Sequence, residues 1–157
     1  MWIGLAAAAL VAIADQASKL WVVDFFAARP EIQPIVRLTP FFNLVLAGNR
    51  GMSFGLFNDD AAANTAVFTA LAAVIVLGLI TWLWRARSLL LQVAIGFVIG
   101  GAIGNVVDRL HRGAVVDFLD FHLGAWHWFA FNLADAAICV GVAALLIDGL
   151  IGQRRSG

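Results

Sequence analysis

Two carboxylates carry most of the chemistry this sequence offers. Asp117 lies in "RGAVVDFLDF", flanked by apolar residues in a stretch that reads as extended. Asp135 lies in "FNLADAAICV", at the mouth of an apolar run of helix length. Both fall near the same end of the apolar segments that surround them. Two acids that converge in a poorly hydrated site cannot easily both ionise. One keeps a proton while the other accepts one, a state suited to activating water for amide hydrolysis. Asp135 also has a plainer reading, in which Asn132 is a helix N-cap and Asp135 the acid at the third helical position, satisfying exposed amides and complementing the positive helix end. The nearness of Asp117 weakens that reading when it is taken alone.

Other catalytic arrangements compete poorly. Ser18, Ser53, Ser88 and Ser156 lie in no nucleophile-elbow context. Cys139 is alone inside an apolar run, which excludes an internal disulfide and leaves a packing role in a buried helix. His111, His122 and His127 are spaced by eleven and five residues, not as a helix-borne ligand pair, so no metal and no cofactor is expected. The stronger rival is a proton or ion pathway, since intramembrane acids often mark one. Such a pathway wants acids spread through the bilayer depth, whereas Asp15, Asp117 and Asp135 gather toward one side and Asp148 alone lies near the other. Asp15 and Lys19 are four apart, acid first, the favourable order for a same-face ion pair that either anchors a helix end or serves a site. Asn105, Asp108 and Arg109 close another apolar segment at spacings of three and four, and an asparagine facing a bundle must find a partner.

The elements that position these residues belong to a membrane. Of the 157 residues 62% are hydrophobic and 13% charged, and the mean hydropathy is +0.92, far from a soluble domain with roughly a quarter of its residues charged. The formal net charge is zero, which gives no basic field for nucleic acid. Four stretches reach the length of about 20 residues needed to cross a hydrocarbon core: residues 2–23, 61–84, 88–107 and 129–151. The first lacks the basic flank of a cleavable signal peptide and is read as a membrane helix. Arg85, Arg87, Arg154 and Arg155 place the middle link and the tail in the cytoplasm by the positive-inside rule, so both termini are inside and segments 24–60 and 108–128 face outward. Trp21, Trp126 and Trp128 then mark the outer interface, Trp82 and Trp84 the inner one. Gly96, Gly100 and Gly104 form a smooth strip for close helix approach, as Ala137 and Gly141 could on the last helix. The first outer segment clusters β-branched and aromatic residues around Pro40 and Gly48, a pattern nearer to strand than helix. The expected fold is an all-α membrane protein: four transmembrane helices in a single integral membrane domain over 1–157, with a small extracytoplasmic β-sheet platform that could hold an extended peptide.

Four motifs in order, "DQASK", "NRGMSFG", "GNVVDRLHRGAVVDFLDF" and "FNLAD", closely resemble the lipoprotein signal peptidases, also called signal peptidase II. The third is long and specific, and with the four-helix plan the resemblance spans nearly the whole chain. It implies an aspartyl endopeptidase of the bacterial inner membrane that removes the signal peptide from lipid-modified prolipoproteins, cleaving before the diacylglyceryl-cysteine. The implied partners are those substrates and membrane lipids. The implied catalytic pair is Asp117 and Asp135, with Asp15, Lys19, Asn49, Gly51, Asn105, Arg109 and Asn132 holding substrate or supporting the pair. Asp108 matches a structural position. Arg50, Met52 and Phe129 depart from the family pattern, in the outer loop and at the entry to the last helix.

Overall fold

The computed structural model describes residues 1–50 and 61–154, without the side chains of 61–64 and 151–154. The element order is α1 (Trp2–Ala27), β1 (Ile35–Thr39), β2 (Phe42–Asn49), α2 (Ala61–Arg85), α3 (Leu89–Arg112), β3 (Val115–Leu123), β4 (Trp126–His127) and α4 (Leu133–Arg154). Each of the four helices contains a stretch long and apolar enough to cross a membrane.

The helix ends differ from the sequence expectation for identifiable reasons. α1 runs past residue 23 to Ala27, because Asp24 does not interrupt it and Pro30 is the first true breaker. α3 runs past residue 107 to Arg112, where Gly113 adopts φ +70° and donates its amide to the Arg109 carbonyl at 3.1 Å. A glycine takes that left-handed turn without the steric penalty of a side chain. α4 begins at Leu133, not 129, because the preceding residues pair with β3 instead: the amides of Trp128 and Phe131 donate to the carbonyls of Phe121 and Leu119 at 2.8 and 3.0 Å.

α3 is the spine of the bundle. Gly4 of α1 packs beside Leu83 and Gln92, while Gly96 and Gly100 meet the backbone of α1 around Gly4 and Ala8, so α1 and α3 run parallel. On the other flank Gly101 meets Ala134, and Gly141 meets Ala94 and Val98, which makes α3 and α4 antiparallel. A Cβ at Gly100 would stand 2.5 Å from the Ala8 carbonyl oxygen, and one at Gly141 2.7 Å from that of Ala94, so both crossings require glycine. Ala8, Leu83, Ala86, Ile95 and Ile99 form one buried apolar cluster joining α1, α2, the α2–α3 link and α3. The chain start, the α2–α3 link and the end of α4 therefore share one end of the bundle.

The sheet caps the opposite end. Its strands lie in the order β1-β2-β3-β4, all antiparallel. The two long connections thus meet in one sheet, since β2 and β3 come from different ones. Val22 and Phe26 from the last turns of α1 pack against Leu44 and Phe118 of the sheet, fixing it to the helices.

Candidate active site

β3 decides where Asp117 points. Side chains alternate along a strand, so Asp117 and Asp120, three apart, face opposite sides. Asp117 lies opposite Ala47 and Asp120 opposite Asn43, with a one-residue bulge in β2 between these pairs. Asn49 is two residues from Ala47 and shares its face, within diagonal reach of Asp117; its Nδ2 donates to Asp117 Oδ2 at 2.9 Å. On the far face Asn43 donates to Asp120 at 2.8 Å and His127 Nδ1 lies 3.0 Å from the same carboxylate. Burial pushes the Asp120 carboxyl up, but the hydrogen bonds from Asn43 and His127 outweigh it and hold it below its ordinary range.

Asn132 joins the second acid to the first. As N-cap of α4 its Oδ1 accepts the Asp135 amide at 3.0 Å, and its own amide donates back to Asp135 Oδ2 at 3.3 Å, a reciprocal capping pair. Its remaining group, Nδ2, donates to Asp117 Oδ1 at 2.7 Å. Cap and site readings of the motif therefore describe the same atoms. Asn105 of α3 donates to Asp135 Oδ1 at 2.8 Å from the other side.

Behind the acids lies a buried ionic cluster. Lys19, fully buried, holds Asp15 Oδ2 and Asp108 Oδ2 at 2.8 Å each and donates to Asn105 Oδ1 at 3.0 Å. Arg112 pairs with Asp108 at 2.5 Å, so two cations balance two carboxylates. Burying such ions costs several kcal/mol each unless their partners are close and complete, as they are here. Gln16 Nε2 spans Asp15, Asp108 and the Gly104 carbonyl at 3.1–3.2 Å.

Arg109 extends along α3 toward a groove of about 370 Å³ between α2, α3 and α4, whose walls include Phe68, Leu71, Ile75, Val98, Ile138 and Val142. Its guanidinium lies 5.2 Å from the Phe68 ring, and its buried Nε has no hydrogen-bond partner among the described residues. The charges of Asp135 and Asp117 both reach it. The groove is apolar along its length and polar at the Asn105 and Arg109 end.

Burial pushes the Asp117 carboxyl up to about 6; the Asn49 bond pulls it down, the Asp135 charge pushes it up, and the Asn132 bond and Lys19 charge pull it down. An acid whose proton affinity is raised, bridged through one asparagine to a second acid, has the makings of a general acid–base pair. Residues 7–151 match the family profile of signal peptidase (SPase) II. The chain belongs to the signal peptidase II family. A lipoprotein signal peptidase of Beijerinckia indica subsp. indica is 44% identical over 154 residues, covering 96% of this chain and 89% of that protein. One of Nitrobacter hamburgensis is 45% identical over 152 residues, covering 94% and 92%. The fold is similar to that of a bacterial membrane enzyme solved by the in meso method at 1.9 Å resolution, with TM-score 0.78, 27% identity, and 96% and 94% of the two chains covered. A second such enzyme structure, at 2.3 Å resolution, gives TM-score 0.81 at 25% identity, covering 100% of this chain and 93% of that one.

Of the residues that the signal peptidase II motifs single out, Asp15, Lys19, Asn49, Asn105, Asn132, Asp117 and Asp135 form one connected set of hydrogen bonds and ion pairs. Arg109 lies beside it, joined by charge alone. Gly51 and Met52 lie outside the described residues; Arg50 is exposed and lines a separate cavity of about 730 Å³ with Thr65, Thr69 and Arg112. Phe129 is exposed, ahead of the extended entry to α4. Two participants are not picked out from the sequence: Gln16 sits inside "DQASK" and Arg112 follows Asp108 by four residues, while Asp108, expected to be structural, holds Lys19 besides its own arginine. The i,i+4 spacing was the available signal for Arg112. Cys139 is exposed on α4, not packed in a core, because that helix turns this flank away from α3. His111 belongs to the last turn of α3, while the β3–β4 hairpin stacks His122 on His127 with ring centres 4.8 Å apart.

Proposed function

We propose that the chain is an intramembrane aspartyl endopeptidase that removes the signal peptide from lipid-modified bacterial prolipoproteins, cutting before the diacylglyceryl-cysteine, with Asp117 and Asp135 as its catalytic pair. The observation that carries the assignment is Asn132, which donates to both carboxylates at once. In this reading Asp135 takes a proton from a water molecule as its oxygen attacks the scissile carbonyl carbon, and Asp117 gives its proton to the carbonyl oxygen. Collapse of the tetrahedral intermediate then breaks the C–N bond, with a proton passing to the leaving nitrogen. Asn49 and Asn105 orient the two acids, and Asn132 aligns both. Arg109 and Gly51 take part in holding substrate, and Asp15 and Lys19 support the pair from beneath.

The whole chain acts as one integral membrane domain, with both termini in the cytoplasm and the acids toward the outer face. Arg85 and Arg87 in the α2–α3 link support this orientation by the positive-inside rule, since the acids lie at the other end of the bundle. The apolar groove beside Asn105 and Arg109 suits the hydrocarbon part of a substrate or neighbouring lipid. Depth in the membrane then selects the bond to be cut. The test is to incubate the purified protein with a lipid-modified precursor and follow the release of the signal peptide by mass. Cleavage immediately before the modified cysteine is expected. Cleavage elsewhere, or none, would sink the assignment.

A further inference from the structure

The residue immediately before each acid has its backbone amide held by a buried carboxylate. Asp15 Oδ1 accepts the amide of Ala134, which precedes Asp135, at 2.9 Å; Asp108 Oδ2 accepts the amide of Val116, which precedes Asp117, at 3.1 Å. The other oxygen of Asp15 and the same oxygen of Asp108 are joined by a single ammonium, Lys19 Nζ, at 2.8 Å to each. Asp15, Lys19 and Asp108 have no exposed surface, so no substrate atom touches them. We infer that Lys19 is a positioning residue: through Asp15 and Asp108 it ties together the two backbone segments that carry Asp117 and Asp135, and so sets the gap between their carboxylates. The inference rests on the catalytic role proposed for those acids.

The geometry supports a spacer more than a simple charge anchor. A charge anchor would be satisfied by neutrality, which Asp15 and Lys19 reach within α1 and Asp108 and Arg112 within α3. Lys19 nevertheless reaches across to Asp108, and Gln16 spans the same two carboxylates at 3.2 Å from each. Lys19 also holds Asn105, the donor to Asp135 Oδ1, so the second acid is fixed at both its backbone and its carboxylate. An ammonium is a compact point charge, whereas a guanidinium is a wide planar fork. Substituting one for the other keeps the charge and changes the spacing.

Full-length Lys19→Arg and Gln16→Leu are compared with the wild type in kcat, KM, pH profile and melting temperature, using a lipid-modified precursor. The protonated carboxyl band of Asp117 is titrated by infrared difference spectroscopy on the same samples, with Asp117→Asn to assign it. For Lys19→Arg, kcat should fall roughly 100-fold with KM within about twofold, a size ordinary for misplaced catalytic groups. The Asp117 titration should move to lower pH as the two acids separate. Gln16→Leu should show the same pattern with a loss of roughly tenfold, and it decides the matter if Lys19→Arg does not fold. A folded Lys19→Arg protein with wild-type kcat and titration overturns the inference, as does a rise in KM at constant kcat. If the wild type does not cleave the precursor, the functional reading fails, and the infrared titration alone then decides whether Lys19 sets the gap.

Discussion

Asn132 uses every polar atom it has outside its own carbonyl on the two acids, and it does so because its place as helix cap leaves its amide nitrogen free to turn toward β3. Replacing it by alanine should therefore cost stability and catalysis together: about 1 kcal/mol for the lost cap, read as a lower melting temperature, and a kcat loss larger than that destabilisation explains. Asp117→Asn and Asp135→Asn should each lower kcat by roughly 10²–10⁴-fold, the usual yield of a general acid or base, without unfolding the protein; substantial turnover by either would remove the pair from the mechanism. The pH profile follows from Asp117, whose carboxyl is held up to about 6. In the role of proton donor proposed for it, Asp117 must be protonated, so activity should fall as pH rises through about 6. The Asn49 bond lowers that value, so Asn49→Ala should move the basic limb to higher pH. A limb that stays put, or moves down, would assign it to another group. At this scale the sequence was informative because aspartates and asparagines in an apolar chain have few innocent explanations. It does not single out Asp120, which lies in the same extended stretch and which strand alternation turns to the face opposite Asp117.

The elements were legible where one medium surrounds a whole segment and less so at their ends. Hydropathy marks the span of α3 but not its last turn, where Asp108, Arg109 and Arg112 are polar and still helical. The extended entry to α4 is set by pairing back onto β3, a turn earlier in the chain, which the residues 128–132 taken alone do not record. Glycine strips were readable as strips, though not as to partner: Gly96 and Gly100 face α1, Gly101 faces α4, and Gly104 faces the Asp15 carboxylate. That last contact gives an element-scale test. A methyl group on Gly104 would drive into Asp15, which is already held by Lys19 and the Ala134 amide. Gly104→Ala should therefore destabilise by about 1–3 kcal/mol, as overpacking does, and reduce kcat. Gly78→Ala on α2 has nothing within 4 Å and should leave melting temperature and activity unaltered or slightly improved. Equal effects at the two positions would mean that α3 does not approach α1 as closely as described.

For the whole molecule, orientation is the property most open to direct test. A reporter active only outside the cytoplasm should work when fused near Leu123 and fail after Arg87 or at the carboxyl end; the reverse pattern would put the acids on the cytoplasmic side. If depth selects the scissile bond, a precursor lacking its lipid should be cut far less well than the modified one with the same peptide, because a chain contributes about 0.8 kcal/mol per buried methylene. Equal rates would shift the selection to peptide sequence. The ionic cluster behind the acids has a consequence of a different kind, for how the chain enters the membrane. A lone aspartate, lysine or arginine at the centre of a helix costs about 2.5–3.5 kcal/mol to insert. Here α1 arrives with Asp15 and Lys19 four residues apart, and α3 arrives later with Asp108 and Arg112 at the same spacing. Each of these pairs is thus able to cancel within its own helix before α1 and α3 meet, and Lys19 gains Asp108 only when they do. Assembly shares out charges that have already been carried in as neutral pairs. It follows that Lys19→Ala should hinder insertion of α1 on its own, measurable by glycan tagging of an α1-only fragment in microsomes, at a stage of synthesis when there is yet no site for the mutation to damage.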